Sequence, residues 1–181
     1  MPEFSLYQLV RARLDSLSSV TRELGDVVDA LPAERVGPTQ FRARVLSMLG
    51  WCRTAENLLI ARGMTDARIH AGFERMSRVR DAAVRYRKLA ALGNSITLYG
   101  LPDENPAISQ ARLVPIYQGP MLAEWFVVVR SNDYSALVCA SDLDGFESGI
   151  PLRQRRFEGV LSYDDRVVSE AISALDARYG A

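Results

Sequence analysis

Apolar residues recur every three or four positions near the start of the chain, at Leu6, Leu9, Val10, Leu14, Leu17, Val20, Leu24, Val27 and Leu31. That period is helical, and Pro32 would stop the element. Leu6, Val10, Leu17, Val20, Leu24, Val27 and Leu31 also follow a heptad seam, interrupted by Arg13. The pattern therefore predicts one long helix within residues 1–37. It would be either a coiled coil that joins two copies of the chain or a helix laid on its own domain. Val36-Gly37-Pro38-Thr39 reads as a turn, with Thr39 capping a second helix. Phe41, Val45, Met48, Cys52, Ala55 and Leu59 share one face of that helix, and Gly63 suits its end.

The period then changes. In residues 67–73, Ile69, Ala71 and Phe73 alternate with Arg68, His70 and Gly72, as in a short strand. A helix is predicted over 74–92, with Met76, Val79, Ala83, Tyr86 and Ala90 inward and an arginine-rich outer face. Residues 96–99 and 113–117 read as strands, and Pro115 assigns the second to a sheet edge because it cannot donate to a ladder. Glu-Trp-Phe-Val-Val-Val-Arg over 124–130 is apolar enough for a strand covered on both faces. The polar corner Ser131-Asn132-Asp133 joins it to Tyr-Ser-Ala-Leu-Val-Cys-Ala-Ser over 134–141, an antiparallel hairpin. A further strand spans 157–163. Asp164 caps a last helix with Val167, Val168, Ala171, Ile172 and Leu175 inward. These elements predict an α+β fold: N-terminal helices and a C-terminal helix packed on a mostly antiparallel sheet of about five strands.

Composition narrows the class without naming a function. The 181 residues suit a single domain with a helical extension, divided at 1–37 and 38–181. Twenty-two basic and 22 acidic residues cancel, so no overall field draws the chain to a membrane or to nucleic acid. Direct nucleic-acid binding is not expected. Cys52 and Cys139 lie in apolar runs and read as buried thiols of a reducing compartment. With Met1-Pro-Glu-Phe lacking the basic start and long apolar core of a leader, the expected location is the cytoplasm.

Chemistry-bearing patterns are sparse. The single histidine, His70, has no ligand partners at metal spacing, and there is no Cys-x-x-Cys. No phosphate-cradling loop, nucleotide fingerprint or nucleophile elbow is present. Asp142-Leu-Asp144-Gly145 lacks the remaining ligands of a calcium loop and reads as a solvated loop. The chain is accordingly expected not to be an enzyme, and no cofactor is indicated. Two arginine clusters stand out. Those of the 74–92 helix suit a solvated face, whereas Arg153-Gln-Arg-Arg156 could hold an anion or a partner carboxylate.

Ala-Gly-Phe-Glu over 71–74, Arg-Tyr-Arg-Lys-Leu-Ala over 85–90 and Ile-Thr-Leu-Tyr-Gly-Leu-Pro-Asp over 96–103 recur in order with three later pieces. These are Leu-Ala-Glu-Trp-Phe-Val-Val-Val over 122–129, Tyr-Ser-Ala-Leu-Val over 134–138, and Arg-Phe-Glu-Gly-Val-Leu-Ser-Tyr-Asp over 156–164. The ordered set resembles the DICT sensory domain family from about residue 40 onward. The resemblance implies a non-catalytic input domain of bacterial signalling proteins, whose relatives are fused to diguanylate cyclases, histidine kinases or helix-turn-helix regulators. No output domain is legible here. The domain would therefore act in trans on a signalling or transcriptional partner, or serve as a stand-alone sensor. A ligand cavity is expected between the sheet and the helices, near Trp125, Tyr134, Phe157 and Tyr163, with Arg153 and Arg156 as anion-binding candidates. The rival expectation is a ligand-free interaction module that dimerises through the N-terminal helix.

Overall fold

The apolar run at 124–130 forms a strand, Glu124–Arg130, with both faces covered as far as Val129. In chain order it is the sixth strand of a computed structural model that describes residues 3–14, 20–23, 38–145 and 148–180, with only the backbone course given for 20–23. The strands are β1 (Val20–Glu23), β2 (Thr39–Arg44), β3 (Arg68–Arg75), β4 (Ser95–Leu101), β5 (Ala111–Pro115), β6 (Glu124–Arg130), β7 (Ser135–Asp142) and β8 (Arg156–Ser162). The helices are α1 (Leu6–Leu14), α2 (Val45–Ala61), α3 (Ala83–Ala91) and α4 (Asp165–Tyr179). A 3-10 helix at Met76–Ala82 leads into α3, and a shorter one spans Leu152–Gln154.

All eight described strands join one sheet in the order β1-β2-β8-β7-β6-β3-β4-β5. The predicted hairpin is present: β6 and β7 pair antiparallel with Trp125 opposite Ala140 and Arg130 opposite Ser135. β8 continues antiparallel on β7, and β2 on β8. At the other side β3, β4 and β5 run parallel, and Pro115 lies on the edge strand as its missing donor requires.

Because a strand's side chains alternate, the sheet carries two cores. Trp125, Val127 and Val129 point to one face, where α2, the 3-10 helix and α3 form a roof. Phe126 and Val128 point to the other, which α1 and α4 close. Gly159 of β8 sits where the Phe41 ring crosses the strand; a Cβ there would lie 2.5 Å from Phe41 Cζ and 2.7 Å from the Ala140 methyl. α4 starts as the sequence requires, with the Asp164 carboxylate accepting from Arg166 N at 2.9 Å. It ends at Gly180 in the left-handed conformation (φ 64°).

Four expectations are corrected. The sheet has eight strands and is mixed, not about five and mostly antiparallel. Strand direction follows from the connections, and the segment Met76–Ala91 is long enough to cross over and return the chain parallel. The long helix of residues 1–37 is not continuous, since α1 spans Leu6–Leu14 and Val20–Glu23 is a strand. The rest of that seam, at 15–19 and 24–37, lies outside the described residues. The second helix starts at Val45, not Thr39. Phe41 and Ala43 alternate inward on β2, but the Phe41-to-Val45 spacing also suits a helix, so the two periods overlap there. Finally, β3 runs on to Arg75, and the helix expected at 74–92 is a 3-10 helix followed by α3.

Candidate functional site

A cleft of about 90 Å³ opens between the roof and the sheet. Its roof is built by one rule applied twice. Leu49, Cys52, Arg53 and Glu56 sit at helical spacing on α2, and Arg78, Asp81, Ala82 and Arg85 repeat that spacing across the 3-10 helix into α3. The floor comes from strand alternation, with Phe73 of β3 and Trp125 and Val127 of β6. Leu152 closes one end.

Charged groups are buried within these apolar walls. Glu56 is 1% exposed, inside the helix stripe between Ala55 and Leu59. Arg85 Nε donates to Glu56 Oε2 and the Tyr86 hydroxyl donates to Oε1. Burial pushes the Glu56 carboxyl upward, against the Arg85 charge and the Tyr86 hydrogen bond. Burial likewise raises the Cys52 thiol far from thiolate formation, so it makes a poor nucleophile. Beneath the cleft Arg155 donates to both Glu74 and Asp142, and all three side chains are nearly solvent-free. Arg78 joins them through a 3.2 Å pair with Glu74, and its guanidinium carbon lies 5.8 Å from the Trp125 ring centre. Trp125 also contacts Phe73 and Phe157, with ring centres 6.1 and 6.3 Å apart.

Two donors in the wall stand out. The buried Trp125 Nε1 and Arg78 Nε find no hydrogen-bond acceptor among the described residues. This arrangement can bind and orient a small molecule. Among the described residues no group of three or more His, Cys, Asp or Glu side chains could hold a metal ion. His70 lies on the opposite sheet face, with Nδ1 2.8 Å from the Tyr99 hydroxyl.

The six residues singled out from the sequence fall in different places. Trp125 is in the cleft wall, and Phe157 is fully buried against it. Tyr134 and Tyr163 pair with each other, ring centres 6.5 Å apart. They sit toward the opposite end of the hairpin, roughly 16 Å along the strands at about 3.3 Å per residue. Arg153 is exposed on the 3-10 helix Leu152–Gln154. Arg156 is exposed and pairs with Asp144, with Nη2 2.5 Å from Oδ1. The arginine between them, Arg155, is the one drawn inside. Glu56, Arg78, Arg85 and Arg155 were not singled out individually. Only Glu56 left a local signal, a charge on an apolar helix face; the arginines look like solvated neighbours until the roof closes over them.

These residues build an α+β domain with a roofed cleft and buried ion pairs in its walls. The chain belongs to the DICT family, described as the sensory domain in diguanylate cyclases and two-component systems, whose model matches residues 24–143, about two thirds of the sequence. That span includes every residue named in the cleft except Leu152, and it ends before Arg155. No curated protein and no solved structure matches the chain. No helix among the described residues is long and apolar enough to cross a membrane.

Proposed function

We propose that this sensory domain binds a small molecule in the cleft between the roof and the sheet, and relays occupancy to a cytoplasmic signalling or transcriptional partner in trans. The observation that carries the reading is the Glu56–Arg85–Tyr86 cluster, with Glu56 and Tyr86 fully buried, beside the apolar wall residues Leu49, Phe73 and Val127. Burying a charged pair in such a place rarely improves stability over an apolar substitute, so its retention fits a role in binding. Relay requires that the ligand favour one arrangement of the roof over another. The roof has an outward surface on which such a change could be read: Leu46 at the start of α2 and Val84 at the start of α3 are 62% and 65% exposed.

The rival interaction module, dimerising through the N-terminal segment, has less support. Leu6 and Val10 of the heptad seam, and Leu14 of the wider helical stripe, are fully buried against α4 and the sheet, so this part of the segment is covered by the chain itself.

Native mass spectrometry of the purified protein and thermal unfolding across a metabolite panel test the proposal. A ligand at a hundred times its Kd stabilises by about 2.7 kcal/mol, which would raise Tm by roughly 5–10 °C in a domain of this size. Ala82→Leu, which fills the cleft, should abolish the shift. A clean apo mass with no shift across the panel would overturn the sensor reading.

A further inference from the structure

The hydrogen-bonding inventory of the cleft points to the chemistry of its ligand, an inference that rests on the cleft being a binding site. The buried carboxylates near the wall are already engaged, whereas Asp81 at the cleft lining is exposed. The oxygens of Glu56 accept from Arg85 and Tyr86, and those of Glu74 from Arg155, with Arg78 adding an ion pair. Asp142 accepts from Arg155 and from Asp144 N. Four buried donors have no acceptor among the described residues, and two of them, Trp125 Nε1 and Arg78 Nε, belong to side chains that line the cleft; the others are Trp51 Nε1 and Arg155 Nε, whose side chains do not. Trp125 itself is 5% exposed. An indole N–H and a guanidinium N–H can only donate, so no tautomer or rotation turns either into an acceptor. Buried donors are normally satisfied, and these two belong to side chains that stack on each other in the cleft.

We propose that the ligand is a small molecule with an apolar body and an acceptor oxygen, carboxylate or carbonyl, that takes the N–H groups of Trp125 and Arg78. Its body packs on Phe73, Val127 and Leu152. A volume of about 90 Å³ admits on the order of six to nine heavy atoms, about one ring, with any longer part reaching solvent. A ligand that offers only donors would meet, within the buried wall, carboxylates already held by Arg85 or Arg155, and otherwise only the exposed carboxylate of Asp81.

Four one-ring probes separate the possibilities: benzoate and acetophenone carry an acceptor, benzylamine carries a cationic donor, and toluene carries neither. Binding is followed by calorimetry and by the two indole N–H cross-peaks of the ¹⁵N-labelled protein. The Trp125→Phe variant assigns the peaks. Trp51, which packs on Phe41, serves as the control. Benzoate and acetophenone should bind about tenfold more tightly than toluene or benzylamine and move the Trp125 peak downfield while leaving Trp51 in place. Trp125→Phe and Arg78→Met should each weaken benzoate several-fold and leave toluene unchanged. Toluene or benzylamine binding as tightly as benzoate would overturn the acceptor assignment and leave the sensor reading standing, as would benzoate binding with the Trp125 peak unmoved. Silence of all four probes would overturn both.

Discussion

Glu124 and Trp125 are neighbours on β6, and they serve opposite faces of the sheet. Glu124 points to the face closed by α1 and α4. There its carboxylate accepts from Ser5 Oγ at 2.5 Å, Leu6 N at 3.0 Å and Tyr7 N at 3.3 Å, the orphan donors at the start of α1. Glu158 of β8 holds the same helix further along, through the Tyr7 hydroxyl at 2.5 Å and Arg11 at 3.2 Å. On this face these two carboxylates are matched by donors, and they fasten a helix to an apolar layer. Trp125 points to the roofed face, where Glu56, Glu74, Asp142 and Arg155 are buried and four donors, Nε1 of Trp51 and Trp125 and Nε of Arg78 and Arg155, have no acceptor among the described residues. One face uses its carboxylates to fasten a helix, and the other holds a cleft with Trp125 and Arg78 in its wall.

That contrast can be broken most severely at Arg155. Replacing it with Met would leave Asp142 buried without its cation and Glu74 with Arg78 alone, and should cost about 3–5 kcal/mol in denaturant unfolding. The triple replacement of Arg155, Glu74 and Asp142 by apolar residues of similar size should recover most of that loss. If it did not, the charges on the roofed face would be as structural as Glu124 on the closed one.

On the closed face, Glu124→Ala removes one acceptor from three donors. It should cost about 2–3 kcal/mol and speed hydrogen exchange at Leu6 and Tyr7, with no change in probe binding across the sheet. A loss of probe binding would show that the two faces are coupled through β6.

A third measurement uses pH. His70 is buried on the closed face, 3.8 Å from Asp176, and burial lowers its pKa to about 4. An unfolded histidine titrates near 6.5. Between those values the unfolded chain holds a proton that the native chain does not, so His70 destabilises the fold progressively as pH falls from 6.5 to 4. The effect should approach about 2–3 kcal/mol. His70→Gln should flatten that part of the stability-versus-pH curve, and equal slopes in the two proteins would refute the assignment. The smallest effect is expected at Asp164. Removing this cap with Ala should lower stability by about 1 kcal/mol and leave the cleft untouched.

Much of the fold was legible in local patterns. The hairpin of β6 and β7, the strand at 156–162, the capped last helix and the edge position of Pro115 each follow from period, turn chemistry or a missing donor. The family was legible too, from the order of short pieces across the chain. The candidate site was legible only as a region, with Trp125 as its fixed point. Phe157 and the Tyr134–Tyr163 pair shared the aromatic signal, but an aromatic residue on a strand has the same local sequence whether it lines a cleft or fills a core.

What the sequence determined by itself is what nearest neighbours along the chain can enforce: alternation on β6, the helical stripe of α4, and the caps at Asp164 and Gly180. Tertiary structure decided the rest. Parallel pairing of β3, β4 and β5 depends on how the chain returns between them, and the burial of Arg155 depends on carboxylates 81 and 13 residues away in sequence. An arginine looks solvated in any local window, because what makes it a buried partner is the position of charges that only the packed sheet and its roof bring together.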